Sequence, residues 1–461
     1  MAPSLPAKLV AEFLGTYLLV FTVGCNVLCK TPVWAPVSIA CVLMVSIYSL
    51  GNISGANFNP AVTLSIFLSK HIRGPGKIDG KTAAAFMATQ VLAGILAAFT
   101  YAIFFWNAFS LGPSKGFGFM SAALCEFWYT FMLCFVVLNV AVSAKSEKNE
   151  GYGLAIGFVI IAGAYGAGPV SGGCFNPAVA IGIDLSSAGL RSGWFIPYVL
   201  VELLAAACAT VVYKGVRPNE FAAAGETAPI PMSAKLISEG LGTFMLVLTV
   251  GLNVNANSPA GAFSIAASLM CMIYALGDVS GAHFNPAVSM AIFLSGLQPR
   301  TKFSKDTMLK FMGVQVLGGI CASFTYKAIY QGHAFPLEPQ PGFKWPQVAV
   351  AEIIFTFVLC YVVLCVAVAQ TKSQDMFGLA IGSCVTVGGF AIGSISGGSL
   401  NPAVSLGIAS SHSFASLLRA CPYCLFEFLG AVAAAAIVMV THGKDDEVKG
   451  NEKGSPSSIP A

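Results

Sequence analysis

The sequence predicts an all-α membrane protein built from two tandem six-helix bundles, with further half-helices that enter the membrane without crossing it. Three observations predict this fold. The 461 residues are 56% hydrophobic and only 10% charged, apolar segments recur at spanning length, and the second half of the chain repeats the first. Because soluble domains carry about 25% charged residues, the lipid bilayer is the expected solvent.

Twelve apolar segments are long enough to be transmembrane helices, since a bilayer core takes about 20 helical residues. Six lie in the first half of the chain, at roughly 8–28, 35–52, 82–106, 120–143, 152–169 and 192–214. Six lie in the second half, at roughly 233–252, 262–279, 306–330, 345–369, 377–394 and 414–441. The first segment lacks a small-residue cleavage site, so we expect a retained helix and not a cleaved signal peptide.

The chain divides into four parts. A first unit, 1–214, and a second unit, 233–442, are joined by a cytoplasmic linker at 215–232, which contains three prolines and mixed charges. The polar stretch 443–461 is expected to be a disordered cytoplasmic tail.

Each unit contains a repeat of its own. Asn59 and Asn285 lie 226 residues apart, whereas Asn59 and Asn176 lie 117 apart. Each half-unit has three spans, so consecutive halves cross the bilayer in opposite senses. Such an inverted 3+3 repeat places a binding or conduction site near the midplane, where the halves meet.

Basic residues predict which side of the membrane each loop faces. With a cytoplasmic N-terminus, nine basic residues of the first half lie inside, and only Lys30, Lys115 and Arg191 lie outside. The second half divides in the same way, with Lys327, Lys344 and Arg419 outside. Twelve spans return the C-terminus to the cytoplasm, and the sequence does not distinguish the plasma membrane from an internal one.

A nine-residue turn occurs four times, as SGANFNPAV at 54–62, SGGCFNPAV at 171–179, SGAHFNPAV at 280–288 and SGGSLNPAV at 396–404. Asn is a favoured N-cap and Pro a favoured first helical residue. The triplets that start these helices are Asn59, Pro60, Ala61; Asn176, Pro177, Ala178; Asn285, Pro286, Ala287; and Asn401, Pro402, Ala403. The apolar stretch after each triplet spans only about 16 Å as a helix, so we predict four re-entrant half-helices.

The topology brings two half-helices of opposite sense together in each unit, N-termini first. Each N-terminus carries about +0.5 charge and unpaired N–H groups, so the pair repels cations, including hydronium. If the Asn side-chain oxygen caps the helix, its NH₂ group can face a lumen and donate to a neutral, oxygen-bearing solute. Four turns then make two pores. A plain turn before a helix would explain one copy, but not four copies at the positions an inverted repeat requires.

Each unit resembles the aquaporin and aquaglyceroporin family, the major intrinsic proteins. The resemblance rests on the four turns, on AEFLGT from Ala11 and SEGLGT from Ser238, and on TQVLAG from Thr89 and VQVLGG from Val314. It covers about residues 8–214 and 233–441. It implies a right-handed six-helix bundle around each pore and usually four pores per assembly, so that two such chains would form a homodimer.

Four carboxylates occupy equivalent positions on spanning helices: Glu12, Glu126, Glu239 and Glu352. An ionisable group at membrane depth is expensive and usually faces the protein interior. The resemblance implies that each accepts hydrogen bonds from the backbone of a re-entrant loop. A proton relay, as in a pump, is the alternative. Glu202 and Glu427, on the sixth span of each unit, are further scaffold candidates.

The selectivity filter departs from the family pattern. Most members have an Arg three residues after the second Asn, where this chain has Val179 and Val404. By the resemblance, the other filter positions are Ile39, Ala164 and Gly173 in the first unit and Ile265, Gly389 and Gly398 in the second. Both sets are small, apolar and uncharged, so we expect similar selectivity in the two pores. His283 replaces Asn57, either to tune the second pore with pH or simply to line its inner mouth.

We therefore expect a passive channel for water and small neutral solutes such as glycerol, urea or ammonia. Without the Arg, proton exclusion depends on the half-helix dipoles, and an apolar ring can also dewet and conduct poorly. The alternatives are a strict water channel, a poorly conducting scaffold protein and a twelve-helix secondary transporter. The sequence offers no nucleophile–base set, phosphate loop, metal-ligand spacing or basic cluster, so we expect no enzyme activity, no cofactor or metal, and no nucleic-acid partner.

Overall fold

The first unit consists of nine α-helices in the computed structural model, which describes residues 3–144, 150–187, 193–222, 228–299, 301–369 and 375–442. They are α1 (Leu5–Leu28), α2 (Ala35–Ser54), α3 (Pro60–His71), α4 (Gly80–Phe105), α5 (Phe119–Val137), α6 (Tyr152–Gly166), α7 (Gly168–Ser171), α8 (Pro177–Ser186) and α9 (Phe195–Val216). A π-helical turn, Leu138–Val142, continues α5.

The second unit repeats this order except for the short α7. Its helices are α10 (Met232–Asn255), α11 (Gly261–Leu276), α12 (Pro286–Ser295), α13 (Lys305–Ile329), α14 (Trp345–Val363), α15 (Phe377–Ser396), α16 (Pro402–His412) and α17 (Phe414–His442). A π-helical turn again follows the fourth span, at Leu364–Val368. The predicted fold class is confirmed.

Ten helices in the described part of the chain are long and apolar enough to cross a membrane. The other two predicted spans form shorter apolar helices, α6 with 15 residues and α11 with 16, and both end before the predicted boundary. Pro169 has no N–H and therefore cannot continue the hydrogen-bond ladder of α6. Gly277 and Asp278, which favour helices weakly, follow α11 in a turn.

The same helix pairs pack together in both units. In the first, α1 packs on α4, α5 on α9, and the half-helices α3 and α8 both contact α4 and α9. In the second, α10 packs on α13, α14 on α17, and α12 and α16 both contact α13 and α17. The third and sixth spans therefore hold both half-helices of a unit, which fixes where the half-helices meet.

Glycine allows the third span to lie directly on the second half-helix. A Cβ atom at Gly94 would lie 2.4 Å from the carbonyl oxygen of Ala178, and one at Gly319 would lie 2.4 Å from that of Ala403. Small residues at such crossings let helix backbones approach closely inside a membrane. The position of the second turn in each unit therefore depends on the absence of a side chain at Gly94 or at Gly319.

The two units pack against each other through α5 and α6 of the first and α10 and α11 of the second. Polar contacts cross this interface. The hydroxyls of Tyr129 and Thr249 lie 3.0 Å apart, and Ser264 Oγ donates to Ala162 O at 3.0 Å. These contacts hold the units in one arrangement.

Arg217 ties the predicted linker to the second unit. Its guanidinium is buried and donates to Asn139 Oδ1 at 2.6 Å and to both carboxylate oxygens of Asp278 at 2.7 and 2.8 Å. Burial alone would lower the pKa of Arg217, but the hydrogen bonds and charge of Asp278 raise it above its ordinary value. The linker residues 223–227, the predicted tail 443–461, and Lys145, Lys148 and Arg191 of the orientation argument lie outside the described residues.

Candidate pore sites

Each half-helix begins at a predicted Asn-Pro-Ala triplet. The side-chain oxygen of Asn59 accepts a hydrogen bond from the N–H of Ala61 at 2.8 Å, and Pro60 is the first helical residue. The same cap forms at 2.8–3.0 Å in the other three half-helices, between Asn176 and Ala178, Asn285 and Ala287, and Asn401 and Ala403, with Pro177, Pro286 and Pro402 as first helical residues. Local sequence alone is enough to place these helix starts.

The side-chain amides of the Asn residues join the two turns of each unit. Asn59 Nδ2 donates to Phe175 O at 2.8 Å, and Asn176 Nδ2 donates to Phe58 O at 2.9 Å. The second unit has the same pair, from Asn285 to Leu400 O and from Asn401 to Phe284 O, both at 2.9 Å. The half-helices therefore meet at their N-terminal tips. An amide NH₂ has two donors, so these contacts account for one N–H of each Asn.

The carbonyl acceptors were not identified from the sequence. They belong to the residue before each Asn, which adopts a left-handed backbone conformation with φ between 50° and 53°: Phe58, Phe175, Phe284 and Leu400. This conformation is unfavourable for a residue with a side chain and persists only where the surroundings impose it. The only available signal was the position inside a repeated turn, because a backbone acceptor leaves no trace in residue type.

The predicted carboxylates bind the turns. Glu12 is fully buried and accepts from the N–H groups of Asn57 and Phe58 at 3.0 and 2.8 Å, from Ser54 Oγ at 2.6 Å and from Gln90 Nε2 at 2.7 Å. The other three likewise accept from two backbone N–H groups of a turn and from a serine hydroxyl, namely Glu126, Glu239 and Glu352. These contacts favour the scaffold interpretation over a proton relay.

Two further carboxylates complete the second turns. The backbone N–H of Asn176 donates to Glu202 Oε1 at 2.9 Å, and that of Asn401 donates to Glu427 Oε1 at 3.0 Å. Both carboxylates come from the sixth span of their unit. Each second turn is therefore held by carboxylates from two different spanning helices.

A cavity lies beside the paired turns in each unit. The first cavity has a volume of about 580 Å³, and the predicted residues in its wall are Asn59, Asn176, Ile39, Ala164, Gly173 and Val179. The second has a volume of about 720 Å³, and the predicted residues in its wall are Asn285, Asn401, Ile265, Gly389, Gly398 and Val404. The structure therefore brings the paired Asn residues and the four predicted filter positions to one cavity in each unit.

The filter positions give each cavity an uncharged, apolar segment. Val179 and Val404, at the positions where the resemblance predicts an Arg, are both buried. At these positions no side chain can form a hydrogen bond, so any polar contact there comes from the backbone. This segment of each wall therefore carries neither a fixed charge nor a side-chain hydrogen-bonding group.

Comparison with known proteins agrees with the resemblance found in the sequence, and the matches extend over nearly the whole chain. The profile of the Major intrinsic protein family matches residues 2–213, 117–260, 226–410 and 378–458. Aquaporin NIP1-1 of Zea mays is 34% identical over 233 residues, which cover 48% of this chain and 79% of that protein. Aquaporin NIP1-1 of Arabidopsis thaliana is 36% identical over 228 residues, covering 46% of this chain and 73% of that protein.

Among solved structures, the aquaglyceroporin from Plasmodium falciparum aligns with a TM-score of 0.38 and 23% identity, covering 45% of this chain and 96% of that chain. The two plant relatives each align with about half of this chain, as expected for a protein with two units of family size. With family matches running from residue 2 to residue 458, the chain belongs to the major intrinsic protein family.

Proposed function

We propose that this protein is a passive membrane channel for water and small neutral solutes, with one pore in each unit. The observation that carries the proposal is a largely apolar cavity in each unit, beside the point where two half-helix N-termini meet, with the Asn amides in its wall. Membership of the major intrinsic protein family and the aquaporin relatives support the channel class. The apolar helices support an integral, multi-pass membrane protein.

Selectivity would arise from the dipoles of the half-helices and from the N–H donors of the Asn amides. Two facing helix N-termini present about half a positive charge each, which opposes the entry of cations. The second N–H of each Asn amide can donate to the oxygen of a passing solute. Because the filter positions lack a guanidinium, we propose that the opening admits glycerol, urea or ammonia as well as water.

The arrangement of the units also supports a homodimer with four pores. Helices α10 and α11 pack against α5 and α6 within the chain, whereas the equivalent helices α1, α2, α14 and α15 expose apolar side chains. Val45 and Val387 are 55% and 52% exposed, although their counterparts by sequence repeat, Cys271 and Ala162, are buried at the interface between units. A second chain would cover these faces. Cytoplasmic termini follow from the distribution of basic residues.

Stopped-flow light scattering on proteoliposomes tests the proposal. We expect fast shrinking in an impermeant osmolyte and, in glycerol, fast shrinking followed by fast re-swelling, because the filter lacks a guanidinium. Shrinking without re-swelling would indicate a strict water channel. Saturable, gradient-coupled flux would indicate a transporter, and the absence of all flux from folded protein would indicate a scaffold.

Blocking one pore at a time tests the pore count. Ile39 and Ile265 are equivalent residues, one in each cavity wall, so Ile39→Trp and Ile265→Trp form a matched pair. We expect each variant to retain about half of the water flux and the double variant to lose nearly all of it, because each bulky ring fills one apolar opening.

The control for this pair is Ile103→Trp, which places the same ring on a side chain that is 63% exposed on α4. It should conduct like the parent protein. If either single variant at the cavities abolishes all flux, the two cavities do not conduct independently.

A further inference from the structure

The outer mouths of the two cavities differ in charge. Glu338 lines the second cavity, and its Oε2 atom forms an ion pair with Nη1 of Arg419. The two side chains are 38% and 50% exposed, so both reach the surrounding water, and Glu338 belongs to the cavity wall as well.

The first unit has no such pair at the equivalent positions. The loops correspond as FSLGP at 109–113 and FPLEP at 335–339, and equivalent backbone bonds anchor them, Ser114 N–H to Val170 O at 2.9 Å and Gln340 N–H to Ile395 O at 3.0 Å. This register aligns Glu338 with Gly112.

The counterpart of Arg419 is Trp194, and it packs against the glycine. A Cβ atom at Gly112 would lie 3.0 Å from Trp194 Cδ1, and Gly112 has a φ of +141°. The first unit therefore replaces a carboxylate and a guanidinium with a glycine and an indole that pack together.

Different segments also form the two outer walls. The loop 335–341 lines the second cavity, whereas the wall of the first cavity includes Ala256, Ser258 and Pro259 from the second unit. The residues that line the first cavity in the described part of the chain include no Asp, Glu, Lys or Arg. A solute entering the first cavity therefore meets neutral groups.

The difference in polarity continues inward. His283 lines the second cavity where Asn57 lines the first, and Ser399 stands in the second where Cys174 stands in the first. The Ser399 hydroxyl is held by Ser405 Oγ at 2.6 Å. The second cavity is thus the more polar of the two at Glu338 and at Ser399, whereas His283 exchanges one polar side chain for another.

We infer that the two pores are specialised, and that the Glu338–Arg419 pair makes the second pore favour small amides such as urea over polyols. The inference rests on the proposed channel function, and it differs from the sequence-based expectation of similar selectivity. An amide carries planar N–H donors and a carbonyl acceptor. It can therefore donate to the carboxylate of Glu338 and accept from the guanidinium of Arg419 in a defined geometry.

Partial exposure keeps this contact weak enough for conduction. A solvated ion pair interacts modestly with a neutral solute, and flux requires binding that favours entry but still permits exit. A polyol has hydroxyls that rotate freely and gains less from the fixed geometry. The first pore offers no comparable acceptor at its mouth, so it should discriminate less between the two solutes.

The test measures urea and glycerol permeability of the full-length chain in proteoliposomes. With the first pore blocked by Ile39→Trp, we expect a urea-to-glycerol permeability ratio several-fold higher than with the second pore blocked by Ile265→Trp. Adding Glu338→Gln to Ile39→Trp should lower the ratio towards the Ile265→Trp value, because the amide removes the charge without changing the size of the side chain.

The matched control is Lys344→Gln in the Ile39→Trp background, which removes an exposed charge outside the cavity wall and should leave the ratio unchanged. Equal ratios in the two blocked backgrounds, or no effect of Glu338→Gln, would overturn the inference while leaving the channel intact. Absence of water flux in both backgrounds would instead overturn the proposed function itself. Thermal unfolding in detergent verifies that each variant is folded.

Discussion

Replacing Glu12 with glutamine is expected to close the first pore while the second stays open. One carboxylate oxygen accepts from Ser54 Oγ and from the N–H of Asn57, and the other accepts from the N–H of Phe58 and from Gln90 Nε2. A glutamine has only one acceptor oxygen. Whichever way its amide is turned, one buried backbone N–H, that of Asn57 or of Phe58, faces an NH₂ group and loses its acceptor.

The expected energetic effect is large. An unsatisfied buried donor costs about 1–3 kcal/mol, and the loss is concentrated in the turn that carries Asn59. Water flux should be measured in the Ile265→Trp background, in which the second pore is blocked and the first pore alone accounts for the flux. The equivalent change, Glu239→Gln, belongs in the Ile39→Trp background and should act on the second pore in the same way.

Glu150→Gln provides the control, because Glu150 is exposed, and its flux should equal that of the parent. The experiment also separates the two roles considered for the buried carboxylates. A proton relay predicts that Glu12→Gln changes proton flux and spares water flux. Unchanged water permeability would therefore contradict the scaffold role.

Adding one methyl group at Gly94 is expected to displace the second turn of the first unit. The new Cβ atom of Gly94→Ala would lie 2.4 Å from the carbonyl oxygen of Ala178, a backbone atom that cannot move without moving Asn176. Overpacking of this kind costs about 1–3 kcal/mol. We expect a lower thermal unfolding temperature in detergent and a reduced water flux through the first pore, measured in the Ile265→Trp background.

Gly118→Ala is the matched control, since a Cβ atom at Gly118 meets nothing within 4 Å and its φ of −98° suits any residue. Gly319→Ala should reproduce the effect in the second unit, where the corresponding carbonyl belongs to Ala403. If Gly94→Ala and Gly118→Ala unfold at the same temperature and conduct equally, close packing at this crossing does not set the position of the turn.

Much of the fold follows from local sequence. The apolar segments and the four helix starts at Asn59, Asn176, Asn285 and Asn401 can be read from neighbouring residues, and the two levels of repeat from a comparison of one part of the sequence with another. Hydrophobicity over about 20 residues indicates a span, and an Asn-Pro pair specifies a helix N-terminus through its own side chain and ring. Even the shortening of α6 has a local cause in Pro169.

The resemblance to a known family added the positions of the filter and the buried carboxylates. The structure brings the four filter positions of each unit to one cavity wall with the paired Asn residues. Their part in conduction stays a prediction that the flux measurements test. The early end of α11 was not predicted, because Gly277 and Asp278 only weaken a helix and the contact between Asp278 and Arg217 joins residues that are 61 positions apart.

The sequence by itself determined that this chain lies in a membrane and where its half-helices begin, because both depend on residues within a few turns of one another. It also determined that the chain contains two units of the same design, because the second half of the sequence repeats the first. Only the tertiary structure decided that each Asn amide reaches a carbonyl more than 110 residues away, with Asn59 on Phe175 and Asn285 on Leu400. It alone also decided that Glu338 and Arg419 meet at the mouth of the second cavity. These contacts depend on how the spans pack, and packing is a property of the whole bundle that no single segment encodes.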